Sequence, residues 1–156
     1  MPVAPTPVDA GAMRIAGAQL RQQLDLASPV WLLLVGGDGA GYRYQQQDWQ
    51  RLTVSMAAMS RDLGVRWLLS TSRRTGAVAE AQLKQYISEQ ILADAVWWAE
   101  QPRKVLMSYL GAADAVVCTA DSLSMITEAV VAGRPVLAWQ PEQAQPNLAY
   151  RQALQR

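Results

Sequence analysis

The stretch ADAVVCTADSLSMITEAVVAGRPVLAW, residues 113–139, decides the fold. Its apolar run 115–118 is typical of a strand that is buried on both faces. The small polar residues 119–122 can cap a helix, and Gly133 ends that helix before a second apolar run, 136–139. The stretch therefore predicts a strand–helix–strand unit, in which ligands bind at the turn between the first strand and the helix.

The same alternation runs through the rest of the chain. The predicted strands are 30–35, 65–69, 95–98, 115–118 and 136–139. The predicted helices are 12–26, 48–63, 77–92, 104–111, one that starts near 122, and 147–155. Strands that alternate with helices at this spacing predict an α/β fold, a Rossmann-like parallel sheet of about five strands with helices on both faces.

The length of 156 residues is that of about one domain. Residues 1–11 contain three prolines and predict a disordered linker or tail. Residues 12–156 then form a single Rossmann-like domain.

Composition excludes several classes of function. A formal net charge of +1 gives no electrostatic footprint for nucleic acid. The chain has no histidine, so nucleophile systems that use histidine are excluded. Cys118 is the single cysteine, in a predicted buried strand, and reads as a core residue. No carboxylate pair is spaced as a metal site, so no metal or other cofactor is expected.

No apolar run reaches the roughly 18 residues that a membrane span needs. The first eleven residues, MPVAPTPVDAG, lack the basic and apolar regions of a secretory signal. We therefore expect a cytoplasmic protein without a membrane span.

The loops that follow parallel strands meet at one edge of the sheet. Here those loops are 36–44, 70–75, 100–103 and 119–124, and they bring glycines, hydroxyls and arginines together. Such an edge predicts a site for an anionic ligand, most plausibly a phosphate or diphosphate. The candidate binding residues are Gly36, Gly37, Arg43, Ser72, Arg73, Ser122, Ser124 and Glu128.

Each of these signals has a plainer alternative. The glycine run 36–41 matches neither a dinucleotide fingerprint nor a P-loop, and is also compatible with an ordinary turn. Arg73 and Arg74 are adjacent, so at most one is expected to reach a ligand, and both could be solvated. Ser122 and Ser124 could cap the helix instead of holding a phosphate.

We predict different roles for two carboxylates near this turn. Asp121 would repel a phosphate, so we expect it to be the helix N-cap or to bind a sugar hydroxyl. Glu128 lies too far into the helix for a capping box, and it shares a face with Ser124. A carboxylate there suits the paired hydroxyls of a ribose, although a solvated surface charge is the alternative.

Three segments carry a family resemblance: LLLVGGDGAGYRY (32–44), LLSTSRRTG (68–76), and TADSLSM (119–125) followed by Glu128. They resemble the mitochondrial-fission "elongated mitochondria" family and its bacterial relatives, which are grouped with GT-B glycosyltransferases. The run GRPV after Ser-x-x-x-Glu-Ala also looks like the donor-binding, C-terminal half of a GT-B fold.

The resemblance implies a nucleotide-sugar-binding domain that needs no metal. By it, Glu128 would hold the ribose, Ser122 and Ser124 the diphosphate side, and Gly36, Gly37 and Arg73 the rest of the donor. A GT-B enzyme has two Rossmann-like domains, so an N-terminal acceptor domain is expected in the full-length protein, and no catalytic residue is assigned here.

Two other functions remain open. One is a non-enzymatic protein-interaction module, in keeping with the fission role of the family. The other, a sugar-nucleotide epimerase or dinucleotide oxidoreductase, is weakened because Lys84 and Tyr86 have the wrong order and spacing for a Tyr-x-x-x-Lys pair.

Overall fold

The computed structural model describes residues 10–27, 29–39 and 41–141. Five strands form one sheet in the order β3-β2-β1-β4-β5, and every neighbouring pair is parallel. The strands are β1 Val30–Leu34, β2 Arg66–Ser70, β3 Leu92–Val96, β4 Ala115–Thr119 and β5 Val136–Trp139. This arrangement confirms the prediction of an α/β, Rossmann-like fold.

The helices cover both faces of the sheet. They are α1 Ala10–Gln23, α2 Gln46–Leu63, α3 Gly76–Tyr86, α4 Leu106–Ala112 and α5 Leu123–Val131. The core on one face contains Met13 of α1, Tyr109 of α4 and Ala129 of α5. The core on the other face contains Trp49 of α2 and Leu83 of α3. Strands β1, β2 and β4 are buried between these two cores, as their continuous apolar runs require. Strands β3 and β5, at the two edges of the sheet, are more exposed.

The bounds of α2 follow from local chemistry. The carboxylate of Asp48 accepts the N–H of Gln45 at 2.8 Å, which forms a capping box at the start of the helix. Gly64 ends the helix with a φ of 72°, a left-handed conformation that favours glycine.

The structure corrects several of the predicted bounds. The helix predicted over 77–92 ends at Tyr86, and residues 89–91 form a separate short 3-10 helix. The first helix begins at Ala10, so residues 10 and 11 are helical and do not belong to a linker. The third strand runs over Leu92–Val96 instead of 95–98. Asp94 in its centre reads as a turn residue, but its carboxylate accepts the hydroxyl of buried Tyr109 at 2.7 Å. The predicted tail over residues 1–9 and the predicted helix 147–155 lie outside the described residues.

No helix in the described part of the chain is long and apolar enough to cross a bilayer.

Helices α1 and α4 pack closely through two glycines. A Cβ atom built on Gly17 would lie 2.1 Å from the carbonyl carbon of Gly111, and one on Gly111 would lie 2.0 Å from the carbonyl oxygen of Met13. Both distances are far below van der Waals contact, so the two backbones touch directly.

We expect Gly111→Ala to force these helices apart and to lower the free energy of unfolding by about 2 kcal/mol, because overpacking outweighs the gain in helix propensity. Urea denaturation followed by circular dichroism measures the change. Gln19→Ala, on the exposed side of α1, is the control and should leave stability unchanged. An unaltered midpoint for Gly111→Ala would show that the helices do not pack this closely.

Candidate functional site

The loops that follow β1 and β4 are joined at the carboxyl edge of the sheet. The N–H of Gly36 donates to Thr119 Oγ1 at 2.7 Å, and the N–H of Gly37 donates to Asp121 Oδ2 at 2.9 Å. Strands β1 and β4 are neighbours in the sheet, at the point where the strand order reverses. Open α/β sheets place their ligands outside this reversal.

Asp121 fills the space at that point. Its side chain is fully buried, and its Oδ1 atom accepts the hydroxyl of Tyr44 at 2.7 Å. The guanidinium of Arg74 forms an ion pair with Oδ2. Burial, together with the negative charge of Asp121, raises the pKa of Tyr44 above its ordinary range, so Tyr44 stays a hydrogen-bond donor. We call Asp121 with Gly37, Tyr44 and Arg74 the Asp121 cluster.

The prediction that Asp121 is the helix N-cap is wrong. Ser122 occupies the N-cap position of α5, and its side chain makes no capping hydrogen bond. The carboxylate turns instead toward the donors of the loops after β1 and β2. The Gly37 N–H and the Arg74 guanidinium, which could otherwise bind an anion, are therefore already paired with this carboxylate.

The glycines of the β1 loop have a different use from the one expected of a phosphate-binding loop. The N–H groups of Gly36 and Gly37 are both engaged within the chain. A Cβ atom on Gly36 would lie 2.1 Å from Asp121 Oδ2. Gly36 thus lets the carboxylate approach the backbone, which no larger residue allows.

A groove of about 460 Å³ opens beside the Asp121 cluster, on the face of the sheet that α4 and α5 cover. We call it the edge groove. It brings together three of the predicted residues, Ser72, Arg73 and Glu128. Its other lining residues are Leu34, Ser70, Thr71, Trp98, Arg103, Lys104, Val105, Leu106, Met107 and Met125.

Charge in the edge groove is mainly positive. Arg73 and Lys104 are exposed, and neither forms an ion pair or hydrogen bond within the described part of the chain. Arg103 is partly engaged, since it contacts the Asp94 carboxylate at 3.2 Å. Glu128 is the acidic residue of the lining, and partial burial raises its pKa above that of a free carboxyl group. The groove can therefore receive an anion and still offer one carboxylate acceptor.

The remaining predicted residues lie outside the edge groove. Arg43 and Ser124 are exposed, and Ser122 is buried. Gly37 lines a separate cavity of about 250 Å³ together with Arg74. Neighbouring arginines thus face different spaces, Arg73 the groove and Arg74 the Asp121 cluster. Only Arg73 of the pair lines the groove, and whether it reaches a ligand stays a prediction.

The sequence analysis missed Lys104 and the apolar residues of the groove. Lys104 was assigned to a helix, whereas α4 begins only at Leu106 and Lys104 lies in the preceding loop. Trp98 was assigned to a strand and lies in a turn. The signal was Pro102, because a proline favours an extended segment before a helix begins. No group of three or more cysteine, aspartate or glutamate side chains in the described ranges is placed to hold a metal ion.

Comparison with known proteins identifies a family. The sequence profile of the family described as "Mitochondrial fission ELM1" matches residues 1–155. Neither a search of curated proteins nor a search of solved structures finds a match.

We expect Asp121→Ala to lower the free energy of unfolding by about 3 kcal/mol, because it leaves buried donors without their acceptor. Chemical denaturation measures the loss. Asp62→Ala removes an ion pair whose partners are both exposed and serves as the control, with no measurable loss. Equal stability of the two variants would show that the cluster does not hold the loops together.

Proposed function

The chain belongs to the mitochondrial fission ELM1 family, and from this premise we propose that it is the donor-binding domain of a GT-B-type glycosyltransferase-like protein. In this proposal its ligand is a nucleoside-diphosphate sugar. One observation carries the proposal: the edge groove holds Glu128, Arg73 and Lys104 on a single surface. Neither cation has an ion-pair partner among the residues that the structure describes. This surface lies at the carboxyl ends of the strands, where Rossmann-like sheets bind ligands.

The chemistry of the groove fits the three parts of such a ligand. The guanidinium of Arg73 can bind two phosphate oxygens at once, and Lys104 adds a second positive charge. The carboxylate of Glu128 accepts hydrogen bonds from the paired hydroxyls of a ribose. Trp98 and Met107 offer apolar contact to a flat base.

In glycosyl transfer the groove would act on the leaving group. Negative charge grows on the diphosphate as the glycosyl bond breaks, and cations that are already in place stabilise that charge. In this proposal the acceptor substrate and the catalytic base belong to an N-terminal acceptor domain.

A second candidate is a protein-interaction module, and exposed apolar side chains favour it. Val130 and Val131 of α5 are 58% and 49% exposed, and Leu137 of the neighbouring strand β5 is 55% exposed. Apolar side chains that remain exposed on a helix and on an edge strand can serve as contacts for a protein partner. In this case Glu128 would be an ordinary surface charge, and no nucleotide would bind.

Calorimetric titration of the chain with UDP-, GDP- and ADP-sugars separates the two candidates. We expect weak binding of one of them, reduced at least about tenfold in Glu128→Ala, because the ribose hydroxyls lose a charged acceptor. Arg73→Ala should also weaken binding. Arg14→Ala is the matched control, since Arg14 is an exposed arginine of α1 and does not line the groove. Absence of heat with all three nucleotide sugars would favour the interaction module.

The affinity should also depend on pH in a defined direction. Burial raises the pKa of Glu128, so the carboxylate gains a proton at a higher pH than a free glutamate does. Protonation removes the charged acceptor, and we expect binding to weaken as the pH falls through this raised pKa.

Titrations at a series of pH values test this expectation. The Glu128→Gln variant should bind more weakly than the native chain and should show a flatter profile. A native profile that matches that of the variant would show that Glu128 does not contact the ligand.

A further inference from the structure

A buried carboxylate joins two of the loops that form the edge groove. Glu80 lies in α3 and is only 3% exposed. Its Oε2 atom accepts the Thr71 hydroxyl at 2.9 Å and the N–H of Ala99 at 3.0 Å. Thr71 follows β2 and Ala99 follows β3, so one oxygen atom bridges both loops.

The hydroxyl of Thr71 extends this bridge to the groove. It accepts the N–H of Trp98 at 2.7 Å. Its one proton has two acceptors in reach, Glu80 Oε2 at 2.9 Å and the carbonyl of Val96 at 3.2 Å. The carboxylate is the closer and stronger acceptor, so the proton is directed to Glu80. Thr71 and Trp98 both line the edge groove, and the network therefore ends at its wall.

The second carboxyl oxygen is not needed for this bridge. Glu80 Oε1 is buried and has no hydrogen-bond partner among the described residues. A buried acceptor without a partner is unfavourable for folding. Core stability alone therefore does not account for Glu80. The Glu80 side chain instead fixes the separation between the loops after β2 and β3, and both loops carry residues of the groove.

We propose that Glu80 is a positioning residue for the edge groove. It holds the β2 loop, with Ser72 and Arg73, against the β3 loop, with Trp98. A ligand that spans the groove needs both walls at one separation, and small displacements of binding groups weaken recognition strongly. The effect on ligand affinity rests on the proposed function, whereas the bridge between the loops does not.

Two variants of the full chain test this role. Glu80→Ala removes the bridge, and Glu80→Gln keeps one acceptor oxygen. Met56→Ala is the control, because Met56 of α2 is buried in the core on the other side of the sheet from the edge groove. Its carbonyl accepts the indole N–H of Trp67, near the amino end of β2 and far from the bridge. Amide hydrogen exchange of Trp98 and Ala99, followed by NMR, reports on the bridge without any ligand. Calorimetry with UDP, GDP and ADP reports on the groove.

We expect Glu80→Ala to lose protection at both amides and to weaken nucleotide binding roughly tenfold or more. Glu80→Gln should restore most of the protection and affinity. Met56→Ala should lose stability but keep both. If Glu80→Ala does not fold, Thr71→Val removes the same hydroxyl link with little change of shape, and the Trp98 amide should then lose its protection.

Native protection of Ala99 in Glu80→Ala would overturn the bridge. Equal weakening of nucleotide binding in Met56→Ala or in Glu80→Gln would overturn the positioning role. If the native chain binds none of the three nucleotides, the donor-binding proposal fails, and the amide exchange still decides whether Glu80 joins the loops.

Discussion

The carboxylate of Asp121 is the contact on which the carboxyl edge of this sheet depends. It is buried, and it accepts hydrogen bonds from Gly37 and Tyr44 of the β1 loop and from Arg74 of the β2 loop. The loops after β1 and β2 are thereby fixed to the loop that precedes α5. The crevice that Rossmann-like sheets usually leave for a ligand is occupied here by the chain itself. The edge groove lies to one side of this crevice.

Two buried carboxylates connect the loops at this edge of the sheet. Asp121 joins the loops after β1, β2 and β4, and Glu80 joins the loops after β2 and β3. Each uses donors from segments distant in sequence, so the four loops form one connected frame. Arg74 forms an ion pair with Asp121 inside the frame, whereas Arg73 lines the groove. The contribution of Arg73 to the positive charge of the groove thus follows from which of the two arginines the frame engages.

The fold was largely predictable, and the site was predictable only in part. Apolar runs and glycine stops located four of the five strands, because an apolar run is typical of a strand inside a parallel sheet. The third strand was predicted to begin at residue 95, but it begins at Leu92. It includes Asp94, a residue type that is depleted in strands, whose carboxylate accepts the hydroxyl of Tyr109, fifteen residues later. Ser72, Arg73 and Glu128 do meet in one groove. The role of Asp121 was missed because its partners lie up to 84 residues away.

The sequence by itself determined the order of strands and helices, the parallel sheet, and the edge at which polar loops gather. Local periodicity and turn chemistry carry that information, and both act over a few residues. Only the tertiary structure decided which polar groups are already paired. The N–H groups of Gly36 and Gly37 are paired, and Arg74 is engaged by Asp121 whereas Arg73 is not. Both facts depend on contacts between distant segments. Hydrogen bonding of this kind is set by the packing of whole elements, and no local pattern encodes it.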